Sequence, residues 1–139
     1  MEIILKNLEK RFNREILFKD LNFTFSKGQK TAIVGPNGSG KSTLLQLLAG
    51  NQLASKGEIS YVDGDATLSV ENIFTHIAIA APYLELIEEF TLKEQIEFHF
   101  KFKTIKNGET ISSVIDKSYF TEHKQKLIKN FSSGMKQRL

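Results

Sequence analysis

Residues 31–50 read TAIVGPNGSGKSTLLQLLAG, and this stretch decides the fold. The run from Thr31 to Val34 predicts a strand covered on both faces, because it is apolar and rich in β-branched residues. The leucines that follow Lys41, closed by Gly50, predict a helix with a C-terminal glycine. Strand, glycine-rich loop and helix in this order are typical of a P-loop, which binds the phosphates of a nucleoside triphosphate, with ATP expected.

The loop GPNGSGKS has the residues that phosphate binding needs. Its glycines allow backbone conformations in which successive amide groups converge on phosphate oxygens, and the following helix adds the positive end of its dipole. We expect Lys41 to reach the β and γ phosphates, Ser42 to offer its hydroxyl to Mg²⁺, and Thr43 to help hold a phosphate. The predicted ATP-binding residues of this loop are Gly35, Pro36, Asn37, Gly38, Ser39, Gly40, Lys41, Ser42 and Thr43.

Other strands are predicted on both sides of this stretch. Four segments have the alternation or the β-branched content of strands, namely Met1–Phe12, Ile16–Phe25, Gly57–Val62 and His76–Ala80. Asp63 and Gly64 indicate a turn after the third of them.

After Pro82 the pattern becomes helical. Thr91 followed by Glu94 predicts a capping box, and apolar residues then recur at a spacing of four. Ser118–Asn130 is an amphipathic helix candidate, and a further helix is predicted from Ser132 onward. We therefore predict two parts of one domain, with a nucleotide-binding β and P-loop part over residues 1–81 and a helical subdomain over residues 82–139.

The composition is that of an ordinary globular chain, with 139 residues, 40% of them hydrophobic and 25% charged. The absence of cysteine excludes disulfides and thiolate metal sites. No segment approaches the run of about 18 apolar residues that a membrane span needs. A net charge of +3 is too small to indicate nucleic acid. The lysines near the C-terminus are either solvated helix faces or a surface for an acidic partner or phosphate.

Three separated motifs resemble one family, the nucleotide-binding domain of ATP-binding cassette (ABC) proteins, and the resemblance covers the whole chain. GPNGSGKST resembles the family's Walker A loop, and FSSGM at Phe131–Met135 resembles its LSGGQ signature. LEKRF resembles the segment whose aromatic residue, here Phe12, stacks on adenine. The alternative for Phe12 is an ordinary core phenylalanine, and the alternative for Ser132 is an ordinary helix cap.

The resemblance implies an α/β fold: a P-loop NTPase with an N-terminal antiparallel β subdomain, a partial parallel core sheet and an α-helical subdomain. It also implies that the signature faces the ATP bound by the opposite subunit of a dimer. The signature residues are Ser132, Ser133, Gly134 and Met135.

The sequence departs from the family pattern at three positions. Ser133 and Met135 stand where the family commonly has glycine and glutamine, which is tolerable if backbone amides and Ser132 make the phosphate contacts. Pro82 stands where the family's Q-loop glutamine is expected, and it has no side-chain oxygen. Tyr83, Glu85 or a water could replace that glutamine, whereas Gln95 is an unsuitable substitute because it lies in the following helix.

In the family, the Walker B aspartate, the catalytic glutamate and the switch histidine all follow the signature. We therefore expect a domain truncated before Walker B, with no catalytic residue within it, that binds ATP but does not turn it over unaided. His76, His99 and His123 precede the signature and receive no role.

The function implied is that of the ATP-binding subunit of an ABC transporter, which hydrolyses ATP when complete and dimeric. The expected cofactors are ATP and Mg²⁺, and the expected partners are a second ATPase subunit, identical or different, and transmembrane permease subunits, with no nucleic acid. The expected location is cytoplasmic, on the inner face of the membrane. Two alternatives remain open, a soluble cassette protein acting on the ribosome or on DNA repair machinery, and a regulatory nucleotide-binding module.

Overall fold

The computed structural model describes residues 1–80, 85–105 and 108–139. The chain divides into two compact units, Met1–Ala78 and Ile79–Leu139, and each has its own buried core. The boundary predicted between residues 81 and 82 falls outside the described residues and stays a prediction.

The first unit contains a four-stranded antiparallel sheet in the order β2-β1-β3-β4. The strands are β1 (Glu2–Phe12), β2 (Glu15–Phe25), β3 (Lys56–Asp63) and β4 (Ala66–Leu68). The sequence predicted the first three, and these predictions are confirmed. The turn indicated at Asp63 and Gly64 joins β3 to the short β4, with Gly64 in the left-handed region at φ +63°.

A bulge in β1 sets which side chains enter the core of the first unit. Asn7 adopts φ +48°, and its N–H donates to Asn22 Oδ1 at 2.8 Å on the neighbouring strand. The pairing register shifts here on both sides of β1. Because the extra residue changes the two-residue alternation, Leu5 and Leu8 both lie in the core although they are three positions apart.

Helix α1 (Lys41–Leu48) packs on this sheet as the sequence predicted. Its buried leucines, Leu44, Leu47 and Leu48, form one cluster with the core leucines of β1. The buried Tyr61 hydroxyl on β3 lies within hydrogen-bonding distance of the Leu47 and Leu48 carbonyls, at 3.3 and 3.1 Å. Burial raises the pKa of Tyr61. Its hydroxyl therefore ties the sheet to the C-terminal end of the helix.

Two predicted strands are wrong. Neither Thr31–Val34 nor His76–Ala80 takes part in the ladders of the described residues, so the parallel part of the predicted core sheet is not observed there. β-branched residues favour an extended backbone, but a strand forms only where a partner supplies ladder hydrogen bonds. Ile33 packs on the core cluster, whereas Val34 is 86% exposed.

The second unit consists of short helices around a separate apolar core. Its α-helices are α2 (Leu92–His99), α3 (Ile111–Lys117) and α4 (Ser133–Gln137), and 3-10 helices span Thr121–His123 and Ile128–Asn130. The core side chains are Leu92, Ile115, Phe120, Ile128 and Phe131. The capping box predicted at the start of α2 is confirmed, since Thr91 accepts from the Glu94 N–H and Glu94 accepts from the Thr91 N–H.

The helix predicted over Ser118–Asn130 is wrong. Tyr119 adopts φ +61°, which ends the helical path after α3. Further along, the Ile128 N–H donates to the Phe90 carbonyl at 2.8 Å, so this backbone pairs with the segment that precedes α2. Phe120 and Ile128 of this segment lie in the core, but long-range backbone hydrogen bonds take the place of the predicted helix.

Candidate nucleotide-binding site

The predicted phosphate loop links residues 29–34 to α1, and two of its glycines lie close to other side chains. A Cβ at Gly35 would lie 2.7 Å from Ser39 Oγ, inside the same loop. A Cβ at Gly40, where φ is +90°, would lie 2.7 Å from the Leu17 side chain of β2. A side chain at Gly40 would therefore be strained by the positive φ and would have to displace the Leu17 side chain.

Gly38, in contrast, is not in close contact with other residues: it has φ +83°, and no atom lies within 4 Å of the position that a Cβ would take. Its left-handed backbone turns the loop, and the Ser39 N–H donates to the Pro36 carbonyl at 3.3 Å. The space over Gly38 is open, so a ligand can approach the loop backbone closely here. Asn37 precedes this open position and is exposed.

The Lys41 ammonium lies against the start of the loop. Its Nζ donates to the carbonyls of Gly35 at 2.9 Å and Pro36 at 2.7 Å. An ammonium has three protons, and these bonds use two of them. The charge is therefore held at the loop by its own backbone, with donor capacity left for an anion.

Helix α1 begins directly at this loop. Its N-cap residue, Gly40, makes no side-chain capping bond, and the Leu44 N–H donates to the Gly40 carbonyl at 2.8 Å. Ser42 is exposed and Thr43 is half-buried on the first turn. The positive end of the helix dipole and two hydroxyl groups thus lie beside the Lys41 ammonium.

Phe12 ends β1 and is 49% exposed, so it is not the fully buried core phenylalanine of the alternative interpretation. It pairs with Glu15 across a two-residue turn in which Asn13 adopts φ +52°. The same hairpin carries Leu17, which contacts the loop at Gly40. The aromatic residue and the phosphate loop therefore belong to one packed unit.

The signature residues lie in the second unit, at the start of α4. Ser132 is its N-cap, and Ser132 Oγ accepts from the Met135 N–H at 3.3 Å. Ser133 and Gly134 are exposed, and no atom lies within 4 Å of a Cβ position at Gly134. Met135 packs on the core of this unit. Ser132 is thus a helix cap in this structure, and its hydroxyl proton is still able to donate.

The structure describes only some of the residues that were considered for the position of the Q-loop glutamine. Pro82 and Tyr83 lie outside the described residues, whereas Glu85 is exposed. Gln95 Oε1 accepts from the Ile87 N–H at 3.2 Å within the second unit. The Gln95 side chain thus makes a local structural contact.

His76 and His99 are exposed. Partial desolvation of the His99 ring lowers its pKa. The His123 ring lies 6.3 Å from the Phe120 ring and 6.2 Å from the Phe131 ring, measured between centroids. Within residues 1–80, 85–105 and 108–139, no cluster of His, Cys, Asp and Glu suited to a metal ion is present.

The contacts of Leu17 and Lys10 with this site were missed by sequence analysis. Leu17 fills the space beside Gly40, and the Lys10 ammonium lies 5.0 Å from the Phe12 ring centroid. The spacing of Lys10 and Phe12 on one strand face was the one local signal for the second contact. The contact of Leu17 with Gly40 joins distant parts of the sequence and has no local signal.

The family model described as ABC transporter matches residues 18–139. The chain belongs to the ABC transporter family. Within this family it is similar to the spermidine/putrescine import ATP-binding protein PotA of Thermotoga maritima, with 29% identity over 99% of this chain and 38% of that protein. It is also similar to the linearmycin resistance ATP-binding protein LnrL of Bacillus subtilis, with 29% identity over 96% of this chain and 44% of that protein. The chain thus spans less than half the length of these curated relatives.

Two solved structures show the same fold. One is an ATP-binding subunit of an ABC transporter, with a TM-score of 0.80, 22% identity, and coverage of 99% of this chain and 59% of that chain. The other is a dimeric ATP-binding cassette in a post-hydrolysis state with ADP and Pi, with a TM-score of 0.73, 25% identity, and coverage of 98% and 66%. The predicted α/β class and the family assignment of this ABC chain are confirmed.

None of the described helices of this ABC chain has both the length and the hydropathy to span a bilayer.

Proposed function

We propose that this chain binds ATP through the loop Gly35–Thr43 and serves as the ATP-binding part of an ABC transporter. The observation that supports this most directly is the position of the Lys41 ammonium, 2.9 and 2.7 Å from two loop carbonyls at the start of α1. A fixed positive charge, an open backbone turn at Gly38 and a helix N-terminus together suit a polyphosphate.

The nucleotide base would lie on Phe12. The ring is half exposed at the end of β1, and the hairpin that carries it contacts the loop at Gly40. An aromatic face stacks on a purine without needing a defined hydrogen-bond pattern. Phe12 thus supplies binding energy for the base, while the loop and Lys41 bind the phosphates.

Magnesium fits the residues that are present. The exposed Ser42 hydroxyl is a hard oxygen ligand on the first turn of α1, beside the proposed phosphate position. Mg²⁺ keeps several waters and phosphate oxygens, so one protein hydroxyl is sufficient. When bound, the ion would offset the negative charge of the β and γ phosphates.

Hydrolysis, dimer formation and transport belong to the same proposal. A second ATPase subunit, identical or different, would present Ser132, Ser133, Gly134 and Met135 to the ATP bound here, with the Ser132 hydroxyl donating to the γ-phosphate. Transmembrane permease subunits would couple hydrolysis to solute movement, and the chain would lie on the cytoplasmic face of the membrane. The similarity to ATP-binding proteins of importers and exporters supports a transport role.

Nucleotide affinity tests this proposal. Isothermal titration of purified protein with ATP and Mg²⁺ is expected to give a single site, and Lys41→Ala is expected to weaken it about ten- to a hundredfold, because hydrogen bonds to charged groups contribute about 1.5–3 kcal/mol. Lys30→Ala is the matched control, since Lys30 is an exposed lysine just before the loop. Equal affinity of the two variants would mean that the phosphates bind elsewhere.

A further inference from the structure

Lys10 holds one face of the Phe12 ring. The two residues lie two positions apart on β1, so their side chains share a face of the sheet. The Lys10 ammonium lies 5.0 Å from the centroid of the Phe12 ring, within the range of a cation–π interaction. Because Phe12 remains 49% exposed, much of the ring stays accessible beside this contact.

The ammonium is itself held in place from another direction. Its Nζ donates to the Leu53 carbonyl at 2.8 Å, in the segment that leads from α1 to β3. The same segment is tied to β1 by three further bonds, from the Ser55 N–H to the Glu9 carbonyl at 2.8 Å, from the Arg11 N–H to Ser55 Oγ at 3.1 Å and from Ser55 Oγ to the Arg11 carbonyl at 3.4 Å. Lys10 thus connects the segment after the phosphate-loop helix to the aromatic residue.

We propose that Lys10 is a positioning residue for the nucleotide base, which fixes Phe12 from one face and leaves the other face for the purine. This inference rests on the proposed function, in which Phe12 stacks on the base. A ring that is held before binding loses less conformational freedom when the base arrives. A cation on one face also withdraws electron density from the ring, which favours stacking of an electron-rich purine on the other face.

Two binding measurements isolate this role. ATP carries a base and phosphates, whereas inorganic tripolyphosphate carries phosphates alone. Lys10→Met keeps a long unbranched side chain but removes the charge, and it is expected to weaken ATP binding about two- to tenfold without changing tripolyphosphate binding. Lys10→Arg keeps a cation that stacks on aromatic faces and is expected to restore most of the ATP affinity.

Three results would overturn the inference. Unchanged ATP affinity in Lys10→Met would show that the contact with Phe12 does not assist the base. Tighter ATP binding would show that Lys10 occupies the face on which the base lies. An equal loss for ATP and tripolyphosphate would show that Lys10 acts on the phosphates.

The test also separates this inference from the proposed function. If wild-type protein binds ATP no more tightly than tripolyphosphate, or if Phe12→Ala leaves their affinities unchanged, the role of Phe12 is wrong and the inference falls with it. If Phe12→Ala removes the preference for ATP but Lys10→Met keeps it, the inference about Lys10 alone is wrong.

Fluorescence measures the mobility of the aromatic ring at position 12 directly. The chain contains no tryptophan, so Phe12→Trp places a single indole at this position. ATP is expected to quench its emission. Adding Lys10→Met is expected to lower the indole's fluorescence anisotropy before nucleotide is added, because the ring loses its fixed neighbour. Unchanged anisotropy would contradict a positioning role.

Discussion

The two units of this chain differ in how closely their glycines are packed, although both contain open glycines and surface ion pairs. In the first unit, close backbone and side-chain contacts leave no room for a Cβ at Gly40 and Gly57. In the second unit, Gly108 and Gly134 have no atom within 4 Å of a Cβ position, and the described contacts include two capping boxes and several surface ion pairs. The proposed phosphate loop lies in the first unit, where Gly40 is closely packed and Gly38 is open.

This difference has a physical reason. A loop that binds phosphates through its backbone must hold its amides within a fraction of an ångström, and close packing does this independently of pH and salt. Each cap or ion pair at the surface contributes little to the free energy of unfolding, and this contribution changes with pH and salt. Three changes, in order of decreasing effect, test the comparison.

The largest effect is expected where shape is most restrictive. Gly57 has φ +80°, and a Cβ there would lie 2.3 Å from the Asn7 carbonyl oxygen. We expect Gly57→Ala to lower the free energy of unfolding by about 3 kcal/mol, from left-handed strain and overpacking together. Gly64→Ala is the matched control, with φ +63° and open space, and should lose about 1 kcal/mol. Urea unfolding followed by circular dichroism measures both, and equal losses would remove packing as the cause.

A smaller effect is expected at the cap of α2. Thr91 accepts from the Glu94 N–H at 3.2 Å, and removing such a cap typically costs about 1 kcal/mol. Thr91→Ala should therefore lower stability by about that amount, whereas Thr91→Ser keeps the hydroxyl and should lose much less. Hydrogen exchange of the first amides of α2 locates the change. A loss of protection in α1 of equal size would contradict the separate specification of the two units.

The smallest effect is expected from acid. The pKa of Glu94 is lowered mainly by the hydrogen bond from the Thr91 backbone N–H. Side-chain hydrogen bonds are also the main cause of three other lowered pKa values, those of Glu88 (from Lys136), Glu109 (from Lys117) and Asp116 (from Thr121). A carboxyl whose pKa is lowered by folding stabilises the native state above its unfolded pKa, and this contribution disappears as pH falls through the folded value.

Amides of the second unit should accordingly lose protection below the ordinary carboxyl pKa values of 4.5 and 3.8, before those of the first unit, where Asp63 is the one described carboxyl with a lowered pKa. Native-state hydrogen exchange between pH 6 and pH 3 follows this. Glu94→Gln should flatten the pH dependence at α2. If the first unit loses protection earlier, surface charge does not distinguish the two units.

Local sequence patterns predicted the parts of the structure that depend on local chemistry. The glycine loop, α1, the first hairpin and the capping box at Thr91 were all predicted from residues close together in the chain. Helix α3 was missed because its capping box uses Ser113 in place of the usual acidic or amide residue. Ser113 N–H nevertheless donates to Thr110 Oγ1 at 3.2 Å, and Ser113 Oγ accepts from the Thr110 N–H at 3.3 Å.

Features that depend on distant partners could not be predicted. Thr31–Val34 had the composition of a strand but no ladder among the described residues, and Ser118–Asn130 had the pattern of a helix but bonds instead to the segment before α2. The anchor of Lys10 on Leu53 joins residues far apart in sequence. Composition indicates what backbone a segment favours, whereas such contacts depend on where the rest of the chain lies.

The bulge at Asn7 shifts the alternation of side chains in β1 by one residue. Leu5 before Asn7 and Leu8 after it both lie in the core, so the alternation is displaced by one residue at the bulge. We expect a deletion of Asn7 that removes the bulge to turn the residues after it to the other face of the sheet, Lys10 and Phe12 among them. An asparagine with no place in the nucleotide site thus decides on which side of the sheet the aromatic ring lies.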